Sequence, residues 1–151
     1  MKLLFVCTGN TCRSCMAEAI AKSEAEKLNI DIEISSAGVH AFKGDGASKN
    51  AVIVMQEMGI DLSCHIARPV TKQIIEDSDL ILTMTNSHKD MLLSIFPSSE
   101  GKVFTIMEYA GLDGDVVDPF GGDVEIYRNC AKQLKYLIDR ILDKIRKDRA
   151  L

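Results

Sequence analysis

The sequence contains no long apolar segment. None of its apolar runs reaches the roughly 18 residues that a membrane-spanning helix needs, and the apolar start at residues 1–6 is too short for the core of a signal peptide. Basic residues are not in excess either: 18 Lys and Arg face 22 Asp and Glu, for a net charge of −4. Nothing in this balance favours a nucleic acid or an acidic membrane surface as a partner. We therefore expect a cytoplasmic protein that binds neither.

Internal repeats, low-complexity tracts and linkers are also missing from the sequence. Its 151 residues suffice for one domain and are too few for two of ordinary size. A content of 46% hydrophobic and 26% charged residues is typical of a soluble globular protein rather than of a disordered or fibrous chain. We predict a single domain over residues 1–151 and expect it to be a monomer.

Cysteine is present in an odd number and is unevenly spaced. Three of the five cysteines, Cys7, Cys12 and Cys15, fall within nine residues. In a reducing compartment this clustering indicates thiol chemistry or metal binding rather than a framework of disulfides. The other two, Cys64 and Cys130, are expected to be buried as small apolar residues.

Short apolar runs alternate with segments of helical periodicity along the chain. This alternation predicts an α/β fold with a parallel sheet, helices on both of its faces and right-handed crossovers. The predicted strands are 3–6, 31–36, 79–84 and 102–106, and the predicted helices begin at 14, 48, 71, 87 and 123. Two apolar stripes are expected to be buried: Ala17, Ile20, Ala21 and Leu28 in the first helix, and Tyr127, Ala131, Leu134, Ile138, Ile141 and Ile145 in the last. A ligand would bind beyond the carboxyl ends of the strands, where Cys7, residues 36–38, Thr85 and Asp118 are expected.

The loop between the first strand and the first helix carries the strongest chemical signal. Cys7 ends the strand, Arg13 follows six positions later, and Ser14 begins the helix. A loop this short can direct its backbone N–H groups at one centre, where the partial positive charge of the helix N-terminus adds to them. Such a cradle holds a phosphate-sized dianion, Arg13 can bind two of its oxygens, and Cys7 beneath it is favoured as a thiolate. The pattern predicts a phosphoryl-transfer site in which Cys7 is an in-line nucleophile.

Other interpretations of the same cysteines remain open at this point. Cys12 and Cys15 form a Cys-x-x-Cys pair at a helix start, as in thiol–disulfide redox proteins. Together with Cys7 they also match a plant-type iron–sulfur spacing, with Cys64 or Cys130 as a fourth ligand. A third interpretation is a tight turn with inert, buried cysteines. Neither redox interpretation accounts for the arginine and serine that follow Cys12.

A phosphoryl-transfer site also needs a proton donor for the leaving group. Asp118 is the best candidate, because Pro119 stiffens its loop, Phe120 supplies an apolar wall, and the two glycines that follow allow the backbone to bend towards a substrate. Most Asp–Pro pairs only cap a turn. It is the cysteine loop that favours a catalytic role for Asp118.

These motifs resemble the low-molecular-weight protein tyrosine phosphatase family, and the likeness covers nearly the whole chain. The segments that carry it are 6–14, 16–19, 35–38, 79–85 and 118–120. The resemblance implies a single flavodoxin-like α/β domain with a four-stranded parallel sheet, no metal, no cofactor, and a phosphorylated protein as substrate. It also implies catalytic roles for Cys7, Arg13 and Asp118: Cys7 forms a phosphocysteine, and Asp118 protonates the leaving group and then deprotonates water.

The resemblance also assigns supporting roles around the loop. Ser14 would hydrogen-bond the Cys7 sulfur, Asn10 would fix the loop backbone through its side chain, and Cys12 would form a reversible disulfide with Cys7 that shields it from irreversible oxidation. The residues expected to contact the substrate are Thr8, Gly9, Asn10, Thr11, Cys12, Ser14, His40 and Phe120.

Substrate choice is expected to depend on Thr11. Tyrosine-specific members typically have a larger apolar residue there, whereas Thr11 and the glycines after Phe120 look like the bacterial protein arginine phosphatase branch. A threonine offers a hydroxyl and less bulk, which suits a polar, planar guanidinium. The sequence therefore predicts hydrolysis of phosphoarginine, with phosphotyrosine as the alternative substrate.

Two residues depart from the family pattern. Cys15 stands where the family usually has a proline, so its thiol could compete for the Cys7–Cys12 disulfide. His40 occupies a position where an apolar or aromatic wall is common, and Phe42 could take that role instead. The remaining histidines, His65 and His88, are expected to be solvated or to cap helices.

Overall fold

The fold is that of a computed structural model, which describes residues 1–149; residues 150 and 151, part of the predicted domain, lie outside the described residues. Four parallel strands form one sheet in the order β2-β1-β3-β4: β1 (Lys2–Cys7), β2 (Glu33–Gly38), β3 (Leu80–Thr83) and β4 (Val103–Thr105). The helices are α1 (Arg13–Lys27), α2 (Lys49–Glu57), α3 (Lys72–Asp77), α4 (Asn86–Ile95), α5 (Ile106–Tyr109) and α6 (Val124–Arg149), with a 3-10 turn at Pro97–Ser99. The predicted four-stranded α/β architecture is confirmed.

Successive side chains of β1 enter two separate cores, as expected for a strand covered on both faces. Leu3 and Phe5 join the larger core, with apolar side chains of α1, α2 and α6. Leu4 and Val6 join a smaller core with Ile75 of α3 and Leu92 of α4. The central strand is therefore held from both sides, which fixes the position of Cys7 at its end.

The starts of α2, α3 and α4 fall within one residue of the prediction because each has a local signal, whereas α1 begins at Arg13 without a side-chain cap. The side chains of Ser48, Thr71 and Thr85 accept hydrogen bonds from backbone N–H groups in the first turns of α2, α3 and α4. The short helix α5, which the sequence analysis missed, is closed by a reciprocal pair between Thr105 and Glu108. A serine or threonine followed three residues later by a glutamate is the sequence signal for such a helix start.

Three local predictions are wrong. The second strand lies two residues later than predicted, which carries Gly38 to the sheet edge beside Cys7. Leu28 is 39% exposed because α1 ends before it, and Ala25 is buried on that helix instead. Cys64 is exposed, whereas Cys130 and all six predicted residues of the α6 stripe are buried as predicted.

No helix within residues 1–149 combines the length and the apolarity needed to cross a membrane.

Candidate active site

The loop of residues 8–12 leaves the central strand β1 where the strand order of the sheet reverses, since β2 lies on one side of β1 and β3 on the other. This is the crevice in which open parallel sheets bind ligands. Three carbonyl oxygens in and beside the loop accept hydrogen bonds from backbone outside it. Those of Cys7, Thr8 and Thr11 accept from the backbone N–H groups of Val39, His40 and Ser48, at 2.9 Å each.

This outward bonding determines what the loop presents to its concave side. In a trans peptide the N–H points opposite to the carbonyl, so a loop that turns its carbonyls outwards turns the next residue's N–H inwards. The end of β2 packs closely against this loop. A Cβ on Gly38 would lie 2.5 Å from the Thr8 carbonyl oxygen, so only glycine fits there. The loop is thus a ring of inward N–H groups beside the N-terminus of α1, an arrangement that binds anions.

Asn10 is the structural centre of the loop. It is fully buried and has a left-handed backbone with φ of +59°, which asparagine tolerates better than most residues. Its side-chain amide donates to the hydroxyls of Ser14 and Ser36, both at 2.9 Å, and its side-chain oxygen accepts from the Arg68 backbone at 3.1 Å. The Asn10 carbonyl accepts from His65 Nε2 at 2.7 Å. The contacts hold the backbone in the conformation that the ring requires.

Cys7 lies at the floor of the ring and is 2% exposed. Its sulfur is 2.8 Å from Ser14 Oγ and 3.3 Å from the Asn10 backbone nitrogen. Because Ser14 Oγ already accepts a hydrogen bond from the Asn10 amide, its own hydrogen is free to point at the sulfur. Two donors directed at one sulfur stabilise a thiolate.

Arg13 and Asp118 meet at the opening of the ring. The Arg13 guanidinium is buried, with Nη1 donating to the Val116 carbonyl at 3.0 Å and Nη2 lying 3.6 Å from Asp118 Oδ2. Half of the Asp118 side chain is exposed, and its other oxygen accepts from the Phe120 backbone N–H at 3.0 Å. Asp118 therefore caps its turn and also reaches the arginine, so the structural and the chemical interpretations of this residue are compatible.

These groups line a pocket of about 340 Å³. Nine predicted site residues lie on its wall, namely Cys7, Thr8, Gly9, Thr11, Cys12, Arg13, His40, Asp118 and Phe120, together with Phe42 and Asp45. Asn10 and Ser14 do not line it, because both side chains are buried behind the loop. Their side chains contact the loop, its neighbours and the cysteine sulfur.

His88 was predicted to be solvated or to cap a helix, but its side chain is buried behind the loop and only 5% exposed. Its Nε2 lies 2.8 Å from Thr8 Oγ1, and its Nδ1 is buried with no hydrogen-bond partner among residues 1–149. Burial is the main cause that lowers the pKa of His88, and the nearby charge of Arg13 lowers it further, to about 4. The ring is therefore neutral near pH 7. The remaining histidine, His65, is likewise not merely solvated, since it holds the loop at Asn10.

Cys12 lies against the hydroxyl of Tyr127, a residue that the helical periodicity predicts only as a member of the core. Its sulfur is 3.2 Å from the Tyr127 hydroxyl and 3.5 Å from Ser48 Oγ. Burial, and then the bond to Cys12, raises the pKa of Tyr127 to about 12. The neighbouring Cys15 is buried, and its thiol donates a hydrogen bond to the Cys12 carbonyl at 3.3 Å. Burial raises the pKa of Cys15 well above the ordinary range.

Neither of the two distant cysteines, Cys64 and Cys130, lines this pocket. Cys64 is exposed beside a separate groove of about 440 Å³. Cys130 is buried in α6, and burial raises its pKa to about 12. Within residues 1–149, no three His, Cys, Asp or Glu side chains are grouped as metal ligands would be. The iron–sulfur alternative therefore finds no ligand set in this part of the chain.

Comparison with known proteins identifies the family. Residues 2–151 match the model of the low molecular weight phosphotyrosine protein phosphatases. The chain is 43% identical, over 99% of both chains, to the protein-arginine-phosphatase of Bacillus subtilis (strain 168). It is also 43% identical to the low molecular weight protein-tyrosine-phosphatase PtpB of Staphylococcus haemolyticus, over 93% of this chain and 97% of that protein.

A solved structure supports the same assignment. The C7S mutant of the YwlE arginine phosphatase, with its active site serine phosphorylated, superimposes with a TM-score of 0.96 at 42% identity and 99% coverage of each chain. The relatives thus span the fold described above from end to end. The chain belongs to the low molecular weight phosphotyrosine protein phosphatase family.

Proposed function

We propose that the protein is a cysteine-dependent phosphatase that hydrolyses phosphoarginine residues of proteins through a phosphocysteine intermediate. The observation that carries the proposal is the position of the Cys7 sulfur. It lies beneath a ring of inward N–H groups, with Arg13 at the side of the ring and Asp118 at its opening. The phosphorylated serine at the active site of the YwlE mutant supports a covalent intermediate in that relative.

The first step transfers the phosphoryl group to Cys7. The thiolate attacks phosphorus, an S–P bond forms as the P–N bond to the guanidine breaks, and Asp118 gives its proton to the departing nitrogen. Arg13 and the inward N–H groups bind the phosphoryl oxygens, whose charge develops in the transition state. In the second step Asp118 takes a proton from water, the water oxygen bonds phosphorus, and the S–P bond breaks to release phosphate and the Cys7 thiolate. The Ser14 hydroxyl stabilises the thiolate as it leaves.

Two peptides of the same sequence, one with phosphoarginine and one with phosphotyrosine, test the substrate. We expect a higher kcat/KM for the phosphoarginine peptide. Cys7→Ser should abolish turnover of both, and mass spectrometry should find any trapped phosphoryl group on the new serine. Appreciable residual turnover by Cys7→Ser would contradict the mechanism, and a preference for phosphotyrosine would contradict the substrate.

Phosphotyrosine is the second candidate, because Phe42 and Phe120 are each 77% exposed at the pocket and could stack on an aromatic ring. Thr11, also on the pocket wall, separates the two cases. Thr11→Ile adds bulk, and Thr11→Val keeps the shape but removes the hydroxyl. We expect Thr11→Ile to move the preference towards phosphotyrosine, with Thr11→Val reporting how much of that effect comes from the hydroxyl. An equal loss on both peptides would contradict a role for Thr11 in specificity.

The charge balance of the chain bears on its cellular setting. We propose a cytoplasmic enzyme that acts as a monomer on phosphorylated proteins and does not bind membranes or nucleic acids, in line with its acidic charge balance. We also propose redox protection of Cys7 by Cys12, which is supported by the presence of both residues on the wall of one pocket.

A further inference from the structure

Asp45 is a carboxylate on the pocket wall for which the mechanism above has no use. It lies in the loop between β2 and α2, and its backbone is fixed by two hydrogen bonds. Its N–H donates to the Phe42 carbonyl at 3.2 Å, and its carbonyl accepts from the Ala67 N–H at 2.7 Å. The same loop contributes Phe42 and His40 to the pocket. Asp45 is therefore held beside the phosphate cradle by ordered backbone.

Within residues 1–149, no ion pair compensates the charge of Asp45. Among the described residues, the pocket carboxylate with an ion-pair partner is Asp118, which lies near Arg13; no basic side chain of residues 1–149 pairs with Asp45. Lys43, two residues earlier, is exposed and does not line the pocket. An unpaired carboxylate beside a dianion site repels a phosphate ester, since like charges at short range disfavour binding.

Phosphoarginine changes the sign of this interaction. Its guanidine nitrogen is bonded directly to phosphorus, so the substrate carries a delocalised positive charge next to the phosphoryl group. A planar guanidinium binds carboxylates through paired N–H donors. The phosphate oxygens would occupy the ring above Cys7, and the guanidinium would follow at the level of the pocket wall, where Asp45 and Asp118 are the two acidic residues.

We propose that Asp45 is a specificity-determining residue whose carboxylate binds the guanidinium of the substrate. The inference rests on the proposed function and deepens it. The two carboxylates then have different roles. Asp118, at 3.6 Å from Arg13, donates the proton to the reacting nitrogen, and Asp45 selects substrates that are cationic next to phosphorus.

The test uses Asp45→Asn, which keeps the shape of the side chain and removes its charge. For this variant we expect kcat/KM on the phosphoarginine peptide to fall about tenfold, while kcat/KM on the matched phosphotyrosine peptide stays the same or rises. Inorganic phosphate should become a stronger competitive inhibitor, because the repulsion is gone. Asp45→Glu, which retains the charge, should restore part of the phosphoarginine activity.

Asp31→Asn is the matched control, since it makes the same change in net charge at an exposed position just before β2, at the end of that strand opposite to the one from which the Asp45 loop leaves. It should leave all three measurements unchanged. An equal loss on both peptides, or an equal loss in the Asp31 variant, would overturn the role of Asp45. If the unmodified enzyme hydrolyses phosphoarginine but Asp45→Asn leaves the peptide preference unaltered, only this inference fails. If the unmodified enzyme does not hydrolyse phosphoarginine at all, the proposed substrate fails and the inference fails with it.

Discussion

The buried histidine behind the phosphate loop gives the sharpest prediction about stability. His88 is neutral in the folded protein because burial, and then the charge of Arg13, lowers its pKa to about 4, although Asp115 and Asp118 act in the opposite direction. In the unfolded chain the ring takes up a proton at its ordinary pKa near 6.5. Between these values the unfolded state binds more protons, so the free energy of unfolding falls as the pH drops from 6.5 towards 4.

The size of the effect follows from the gap between the two pKa values. At about 1.4 kcal/mol per pKa unit, a ring that stayed neutral down to pH 4 would remove up to about 3 kcal/mol from the free energy of unfolding. Water that reaches the ring lowers this figure, so we expect about 1 to 2 kcal/mol between pH 7 and pH 5. That is a large share of the about 5 to 15 kcal/mol that stabilise a typical domain.

Urea unfolding of the protein and of His88→Gln, at pH 7 and pH 5, measures the effect directly. Glutamine does not titrate, but its amide can still donate to Thr8, so the variant should lose less stability than the parent on acidification. His40→Gln, at an exposed position of the same pocket, should behave like the parent. If His88→Gln loses as much stability as the parent between the two pH values, the buried neutral imidazole is not the cause of the acid sensitivity.

Two further predictions concern the chemistry of the pocket. Asp118→Ala should slow turnover by about 10²- to 10⁴-fold, the usual contribution of a general acid, and steady-state kinetics that show an unchanged rate would refute that role. Mild peroxide should give a Cys7–Cys12 disulfide that a thiol reductant reverses, and Cys12→Ser should then inactivate irreversibly. The raised pKa of buried Cys15 makes it a poor competitor, so a Cys12–Cys15 bridge found by mass spectrometry would contradict this reasoning.

The loop between β1 and α1 could be predicted from the sequence because its residues are close in the chain. Cys7, Arg13 and Ser14 are close in the chain, and the strand before them and the helix after them determine which way the loop faces. Asp118 could be predicted only through the loop, since an Asp–Pro pair alone indicates a turn. It does cap one here, and its position near Arg13 depends on the approach of two segments more than a hundred residues apart.

His65, His88 and Tyr127 could not be recognised from the sequence in the same way. Each belongs to a different segment, and each has an ordinary structural explanation: a loop polar residue, a polar residue near a helix start, and a member of an apolar stripe. What distinguishes them is the partner that folding brings to them, namely the Asn10 carbonyl, the Thr8 hydroxyl and the Cys12 sulfur. Sequence periodicity indicates the face of a helix on which a residue lies, but it does not indicate which polar atom lies opposite that residue.

The phosphate cradle is consequently a tertiary product even though its chemistry lies in eight consecutive residues. Its outward carbonyls are bonded by residues 39, 40, 48 and 65, and Asn10 is held in a left-handed conformation by contacts to residues 36 and 68. An isolated peptide of residues 7–14 has none of these donors, so nothing would keep its N–H groups directed inwards. The loop can bind a dianion without rearranging because its contacts with the rest of the fold already stabilise the binding conformation.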